Sequence, residues 1–257
     1  MLAILRVIVV VIDTALFIPL VLIAAIGDPE GRRAYRVVRW WAWLNIRVCG
    51  VTVAASGLDA LDPRSAYVFM SNHRSALDVL VLVVALWDYQ LRWVAKRELG
   101  RIPGFGLALR ATRQIFIDRS DHAQAVASLA AARRRLDSGS SVVFFPEGTR
   151  SEGPLLPFKK GGFVFAIETG ARIVPIGIAG PPSLLGRGGT LHRLRAQAQV
   201  AVRPPVATAG LTLDDRDVLL ARVRWAIAGA ALGRRPLPLA ASPRSRDRSA
   251  ARIARGA

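Results

Sequence analysis

Cysteine is almost missing from this chain: Cys49 is the only one in 257 residues, which excludes an intrachain disulfide and a cysteine-rich zinc cluster. A reducing, cytosol-facing location is consistent with that usage. Lysine is scarce as well. Lys96, Lys159 and Lys160 are the only three, so the basic excess, 36 basic against 18 acidic residues, rests on arginine. Histidine occurs only at His73, His122 and His192, and the last two stand in no block like that around His73. No G-x-S-x-G elbow is present, and Cys49 lies outside every polar block, so a covalent nucleophile is not indicated. No Gly/Ser-rich linker divides residues 50–233, which read as one domain with an appendage at each end.

What is abundant is positive charge on an apolar background. A formal charge of +18, a pI near 11.6 and a mean hydropathy of +0.34 suit an anionic membrane surface as partner. Nucleic acid is not expected, since soluble nucleic-acid binders are rarely this apolar. Residues 2–26 are apolar except for Arg6, Asp13 and Thr14, long enough for a helix to cross a hydrocarbon layer of ~30 Å. No small-residue cleavage site closes a short apolar core, so the segment is expected to be retained. An ionised Asp13 at its centre would cost about 2.5–3.5 kcal/mol in lipid. A re-entrant position, or packing on a second helix, would relieve that cost.

Residues 32–48 offer such a helix. Val37, Trp41, Leu44 and Val48 form one stripe, and Arg32, Arg36, Arg39 and Arg47 gather on another face. With Trp40, Trp41 and Trp43 this reads as an interfacial helix, the alternative being an ordinary helix packed on the domain. Residues 1–49 are therefore expected to form a two-helix membrane-anchoring segment. Residues 234–257 carry seven arginines, three prolines and one acid, and read as a disordered basic tail.

Between these ends, β-rich runs fall at 51–55, 66–70, 91–95, 114–118, 141–145, 172–178 and 198–203. Helical patterns cover 122–137, 160–169 and 213–232. The alternation predicts an α/β fold, a mixed central sheet of about seven strands flanked by helices over residues 50–233.

Three polar blocks carry the chemistry. In Ser71-Asn72-His73-Arg74-Ser75-Ala76-Leu77-Asp78 a histidine and a carboxylate stand five residues apart. One straight helix would point them apart by about 140°, so the pair needs a bend. A capping box with Ser75 as N-cap and Asp78 in the first turn supplies it. Asp78 could then hold the Nδ1 proton of His73 while Nε2 takes a proton from a substrate hydroxyl. The bland alternative is that Asp78 only caps the helix. In Phe145-Pro146-Glu147-Gly148-Thr149-Arg150-Ser151 a strand runs out into an acid and a glycine, where open α/β sheets keep their sites. Arg150, and Arg119 after the run Ile115-Phe116-Ile117-Asp118, are candidate phosphate ligands.

With these residues in view, the sequence resembles the glycerolipid acyltransferases, closest to the 1-acylglycerol-3-phosphate O-acyltransferases. Four blocks match in order: N-H-x-x-x-x-D at 72–78, F-I-D-R at 116–119, F-P-E-G-T-R-S at 145–151 and V-P-I-G at 174–177. One departure is Arg113, where the second block usually opens with glycine. The resemblance implies a membrane-associated α/β enzyme, at the cell membrane with its catalytic domain on the cytoplasmic side. It would move an acyl group from acyl-CoA or acyl carrier protein to the sn-2 hydroxyl of 1-acylglycerol-3-phosphate, with no metal and no cofactor beyond that co-substrate. It also implies His73 as base and Asp78 as its partner. Arg119, Glu147, Gly148, Thr149, Arg150, Lys96 and Lys159 would bind the lysophospholipid acceptor and its phosphate, supported by Asn72, Ser75, Pro146 and Pro175. Two rivals remain at this level: another acceptor, either a different lysophospholipid or glycerol 3-phosphate, toward which Arg113 leans, and a non-catalytic basic membrane- or nucleic-acid-binding module.

Overall fold

Among the described residues, seven strands form one sheet in the order β1-β7-β6-β2-β5-β3-β4. They are β1 (Val51–Ser56), β2 (Val68–Ser71), β3 (Leu91–Lys96), β4 (Ile115–Ile117), β5 (Ser141–Phe144), β6 (Ile173–Ala179) and β7 (Ala196–Val202). β6, β2, β5, β3 and β4 run parallel to one another, and β7 pairs antiparallel with β6 and parallel with β1. The helices are α1 (Leu2–Ala24), α2 (Arg32–Val48), α3 (Asp78–Ala85), α4 (Phe105–Ala111), α5 (His122–Asp137), α6 (Gly161–Thr169) and α7 (Arg216–Ala231). This computed structural model describes residues 2–117, 122–151, 153–180 and 195–232. Arg119, His192 and the basic tail at 234–257 lie outside the described residues.

The mixed α/β sheet expected from the alternation is present, with strand ends shifted by a residue or two. The period of two in its strands divides the core. Phe69, Val143 and Ile176 face α2 and α3, while Val68, Met70, Val142 and Phe144 face α5, α6 and α7. The sequence reading missed α4, whose seven residues are too few to show a helical period.

The fourth block fixes a packing distance. Gly177 lies in β6 under α7, and a Cβ there would stand 2.3 Å from Ala231 N and 2.4 Å from the Ala230 side chain. Only a hydrogen at that position lets helix and strand approach so closely.

At the N-terminus, α1 lies on α2, and α2 lies on α3 and β1. The buried face of α2 is Ala34, Tyr35, Ala42, Asn45 and Ile46, about one position from the expected stripe. Val37, Trp41, Leu44 and Val48 are only half-buried, because the helix is covered on two sides and must bury a broader arc than one stripe. Asp13 faces α2, where its carboxylate accepts a hydrogen bond from Asn45 Nδ2. Beside it Trp41 Nε1 donates to Thr14 Oγ1 at 3.1 Å. The carboxylate that would be costly in lipid is therefore turned into the protein. The outer face of α1, including Ile4, Ile8, Ile12, Leu16 and Leu20, is exposed and wholly apolar.

The turn between α1 and α2 is bolted to the sheet from below. Arg92, buried in β3, donates to Glu30 O at 2.7 Å and Leu91 O at 3.0 Å and lies 5.3 Å over the Tyr35 ring. Burial pushes its guanidinium down to about 10. Asp28 caps α2, its Oδ2 accepting from Arg33 N at 2.7 Å and Ala34 N at 3.1 Å. Burial alone would raise the Asp28 carboxyl, but the amides of Ala34, Arg33 and Arg32 and the charge of Arg33 outweigh it and hold it below its usual value. A carboxyl lowered by folding stabilises the fold above its unfolded value and loses that contribution as pH falls through the folded one. Asp28→Asn should therefore flatten the loss of stability in acid, seen as a smaller shift of the urea midpoint between about pH 6 and about pH 3.

Candidate active site

The C-terminal ends of β2, β5 and β3 lie on one edge of the sheet, and the polar blocks follow them directly. β2 stops at Ser71. Asn72, buried, then continues its pairing with a side chain instead of a backbone: Nδ2 donates to Ile178 O at 3.0 Å and Oδ1 accepts from Ile178 N at 2.7 Å. The loop that carries His73 thus leaves from a fixed point on β6.

His73 Nδ1 lies 3.0 Å from Asp78 Oδ2, the bend being supplied by the turn that opens α3. The same oxygen accepts from Arg74 N at 2.6 Å and Ser75 N at 2.7 Å. The expected capping box is present only in half. Asp78 N is engaged by Ser75 O at 3.1 Å, so Ser75 Oγ accepts from Leu77 N at 3.2 Å instead. A carboxylate against Nδ1 keeps the proton there and leaves Nε2 as the acceptor nitrogen.

The third block holds the first. His73 N donates to Glu147 Oε1 at 2.8 Å, and His73 O accepts from Ser151 N at 2.8 Å. The other oxygen of Glu147 accepts from Leu156 N at 2.9 Å. Glu147, expected among the acceptor ligands, is 2% exposed, and both its oxygens are engaged by main-chain amides. A buried carboxylate needs such partners. The imidazole also stacks on Phe145, with centroids 4.0 Å apart and planes 12° apart, and Phe145 stacks on Trp93 at 5.5 Å. Sequence reasoning passed over this stack and the Ser151 clamp. Phe145 was legible as an aromatic residue at a strand end beside a motif; nothing marked Trp93.

The remaining residues spread over two cavities. Asp78, Ser75 and Arg74 line a cleft of about 220 Å³ between α3 and the ends of β6 and β7. Phe145, Pro146, Gly148 and Lys159 line an open groove of about 820 Å³ between α5 and α6, with Arg133 on its wall. The His73 ring stacks by its face on Phe145 and meets Asp78 at Nδ1. Thr149 and Arg150 are exposed beyond Gly148, and Lys96 is exposed at the end of β3, in register with Ile117. Pro175 lies buried within β6 opposite Met70. The expected convergence of Arg119 with Arg150 falls outside the described residues. Among the described residues no three His, Cys, Asp or Glu side chains gather as a metal site.

The Acyltransferase family profile matches residues 52–179, a span that contains both polar blocks, 71–78 and 145–151. The chain belongs to the acyltransferase family. It is 36% identical over 177 residues to the mouse 1-acyl-sn-glycerol-3-phosphate acyltransferase alpha, covering 68% of this chain and 62% of that protein. It is 41% identical over 113 residues to a Helicobacter pylori 1-acyl-sn-glycerol-3-phosphate acyltransferase, covering 43% and 47% of the two chains. The chain thus spans less than two thirds of the length of these curated relatives. Its fold is that of the Thermotoga maritima 1-acyl-sn-glycerophosphate acyltransferase PlsC, with a TM-score of 0.70, 22% identity, and 92% and 96% of the two chains covered.

The departure at Arg113 has a backbone explanation. Arg113 is the single non-glycine residue with positive φ among the described residues, at 58°, in the turn from α4 into β4. A glycine is suited to that conformation, and the arginine strains it by roughly 1–2 kcal/mol. The position is one of turn geometry, where the chain reverses between α4 and β4.

Proposed function

We propose that this protein transfers a fatty acyl group from a thioester, acyl-CoA or acyl carrier protein, to the sn-2 hydroxyl of 1-acylglycerol-3-phosphate. The observation that carries the proposal is the 3.0 Å contact of His73 Nδ1 with Asp78 Oδ2. The acceptor hydroxyl gives its proton to Nε2 as its oxygen attacks the thioester carbonyl. The Asp78 carboxylate stabilises the imidazolium formed. Collapse of the tetrahedral intermediate breaks the C–S bond, and the leaving sulfur takes the proton back from Nε2. No covalent acyl-enzyme is needed.

Glu147 and Ser151 act by holding the main chain of His73, and Phe145 by fixing the plane of its ring. Lys96, Arg150 and Lys159 are cations near the same sheet edge, available to the acceptor phosphate together with Arg119. Arg113, as a turn residue, gives no reason to prefer another headgroup. The exposed face of α1 seats the enzyme in one leaflet, with α1 lying along α2 rather than crossing, so that lipid acceptor and product need not leave the headgroup layer. The catalytic domain then faces the cytoplasmic donors.

The test is product analysis with purified full-length protein, vesicle-borne acceptors and oleoyl-CoA. Phosphatidic acid should form from 1-acylglycerol-3-phosphate with one free thiol per product. Turnover confined to lysophosphatidylcholine or glycerol 3-phosphate would replace the acceptor, and no thiol release with any acceptor would reject acyl transfer.

A further inference from the structure

We propose that residues 96–111, the 3-10 helix Arg97–Arg101 followed by α4, form a second lipid-seated element beside α1 that aims the active-site edge of the sheet at the headgroup layer. This rests on the leaflet seat of α1 proposed above and goes beyond it. Leu99, Ile102 and Leu107 are 39%, 46% and 53% exposed within nine residues of chain. Scattered exposed apolar side chains need no explanation, but a cluster continuous with a larger apolar face does. The segment packs directly on α1, which carries that larger face: Phe105, Ala108 and Leu109 share an apolar cavity of about 110 Å³ with Phe17, Ile18 and Val21. Gly104 approaches Ile18 so closely that a Cβ on it would stand 3.3 Å from the Ile18 side chain.

The segment cannot fold these side chains away. Gly106 and Gly100 press backbone on backbone, a Cβ on Gly106 falling 2.2 Å from Gly100 O, and Gly106 N donates to Ile102 O at 2.8 Å. Phe116 of β4 closes the underside, 3.0 Å from where a Cβ on Gly100 would be. The result is a rigid apolar knob bordered by exposed Lys96, Arg97, Arg101 and Arg110, with Glu98 the only acid within residues 96–111. Apolar side chains ringed by cations match an anionic leaflet, the hydrocarbon boundary taking the former and lipid phosphates the latter. A carrier protein of acidic surface would also meet the cations, but the shared wall with α1 favours lipid.

The knob connects to the chemistry through β3. Trp93 in that strand stacks on Phe145, and Phe145 stacks on His73. Seating the knob therefore sets the height of the catalytic imidazole above the lipid as well as its tilt.

The experiment uses the full chain in a Cys49→Ser background with one polarity-sensitive dye at Ile8→Cys, Leu107→Cys or Ala221→Cys. The vesicles are of phosphatidylcholine and phosphatidylglycerol with nitroxide lipids. Ala221 is exposed on α7, across the sheet from α2 and α3. Quenching at both Ile8 and Leu107, and none at Ala221, is the expected result. Quenching at Ile8 alone overturns the knob and leaves the α1 seat standing; quenching at neither removes both. In parallel, Ile102→Glu with Leu107→Glu should raise KM for a vesicle-borne acceptor about tenfold or more, while turnover of a monomeric short-chain acceptor stays at the wild-type value. Equal losses on both acceptors, or a loss seen only with a carrier-protein donor, would overturn the proposal.

Discussion

Asp78→Asn should lower kcat for acyl transfer by about 10²–10⁴-fold while leaving the thermal unfolding midpoint close to that of the unmodified protein. Oδ2 of Asp78 receives three N–H groups, from His73, Arg74 and Ser75. An amide oxygen in its place can still accept from the two main-chain donors, so the turn into α3 survives. What the amide lacks is the negative charge opposite Nδ1, and in the proposed mechanism it is that charge which stabilises the imidazolium formed in the transition state. His73→Ala should cost at least as much, and the double variant little more than His73→Ala alone, because the pair acts as one unit. Steady-state kinetics with thiol release, run beside circular dichroism, decide the matter. Full activity in Asp78→Asn would leave Asp78 as a helix cap, the simpler alternative that the sequence allowed.

Gly177→Ala is the largest expected structural effect. The added methyl would overlap Ala230 and the backbone at Ala231 at distances of 2.3–2.4 Å, so either α7 lifts or β6 bends. Overpacking of a tight core site costs about 1–3 kcal/mol, and contact with main chain, which cannot rotate away, puts this case at the top of that range. For a chain of this size the unfolding midpoint should fall by roughly 6–12 °C. Activity should fall with it, because β6 also supplies the Ile178 main chain that anchors Asn72 ahead of His73. The control lies on the same helix. A Cβ on Gly229 meets nothing within 4 Å, so Gly229→Ala should be neutral or stabilising by up to about 1 kcal/mol through helix propensity alone. A midpoint unchanged in Gly177→Ala would mean that the helix-to-strand distance is not fixed by that glycine.

These two cases show where the sequence was legible. His73 and Asp78 could be paired from spacing alone, because a turn of a few residues is a local object with its own signature. Glu147 could not be assigned in the same way. Its partners, His73 N and Leu156 N, lie 74 and 9 positions away, and an acid at a strand end looks the same whether it faces a ligand or the interior. For Asp13 the sequence offered residues 32–48 as a relieving helix, but not the particular partner, Asn45, that sits on it. The sheet was visible through strand composition, while its order and the reversal at β7 depend on pairings between distant segments that no local pattern encodes. α4 was hidden by shortness, although its apolar exposure carries a proposal of its own.

The main-chain clamp on His73 has a consequence for biogenesis. Its two anchors, Glu147 and Ser151, are synthesised 74 and 78 residues after the histidine they hold. Until that later stretch has emerged and β5 has joined β2, the imidazole has no defined position. A nascent or partly denatured chain therefore lacks the main-chain clamp on His73, which arrives only once β5 and the loop after it are in place beside β2.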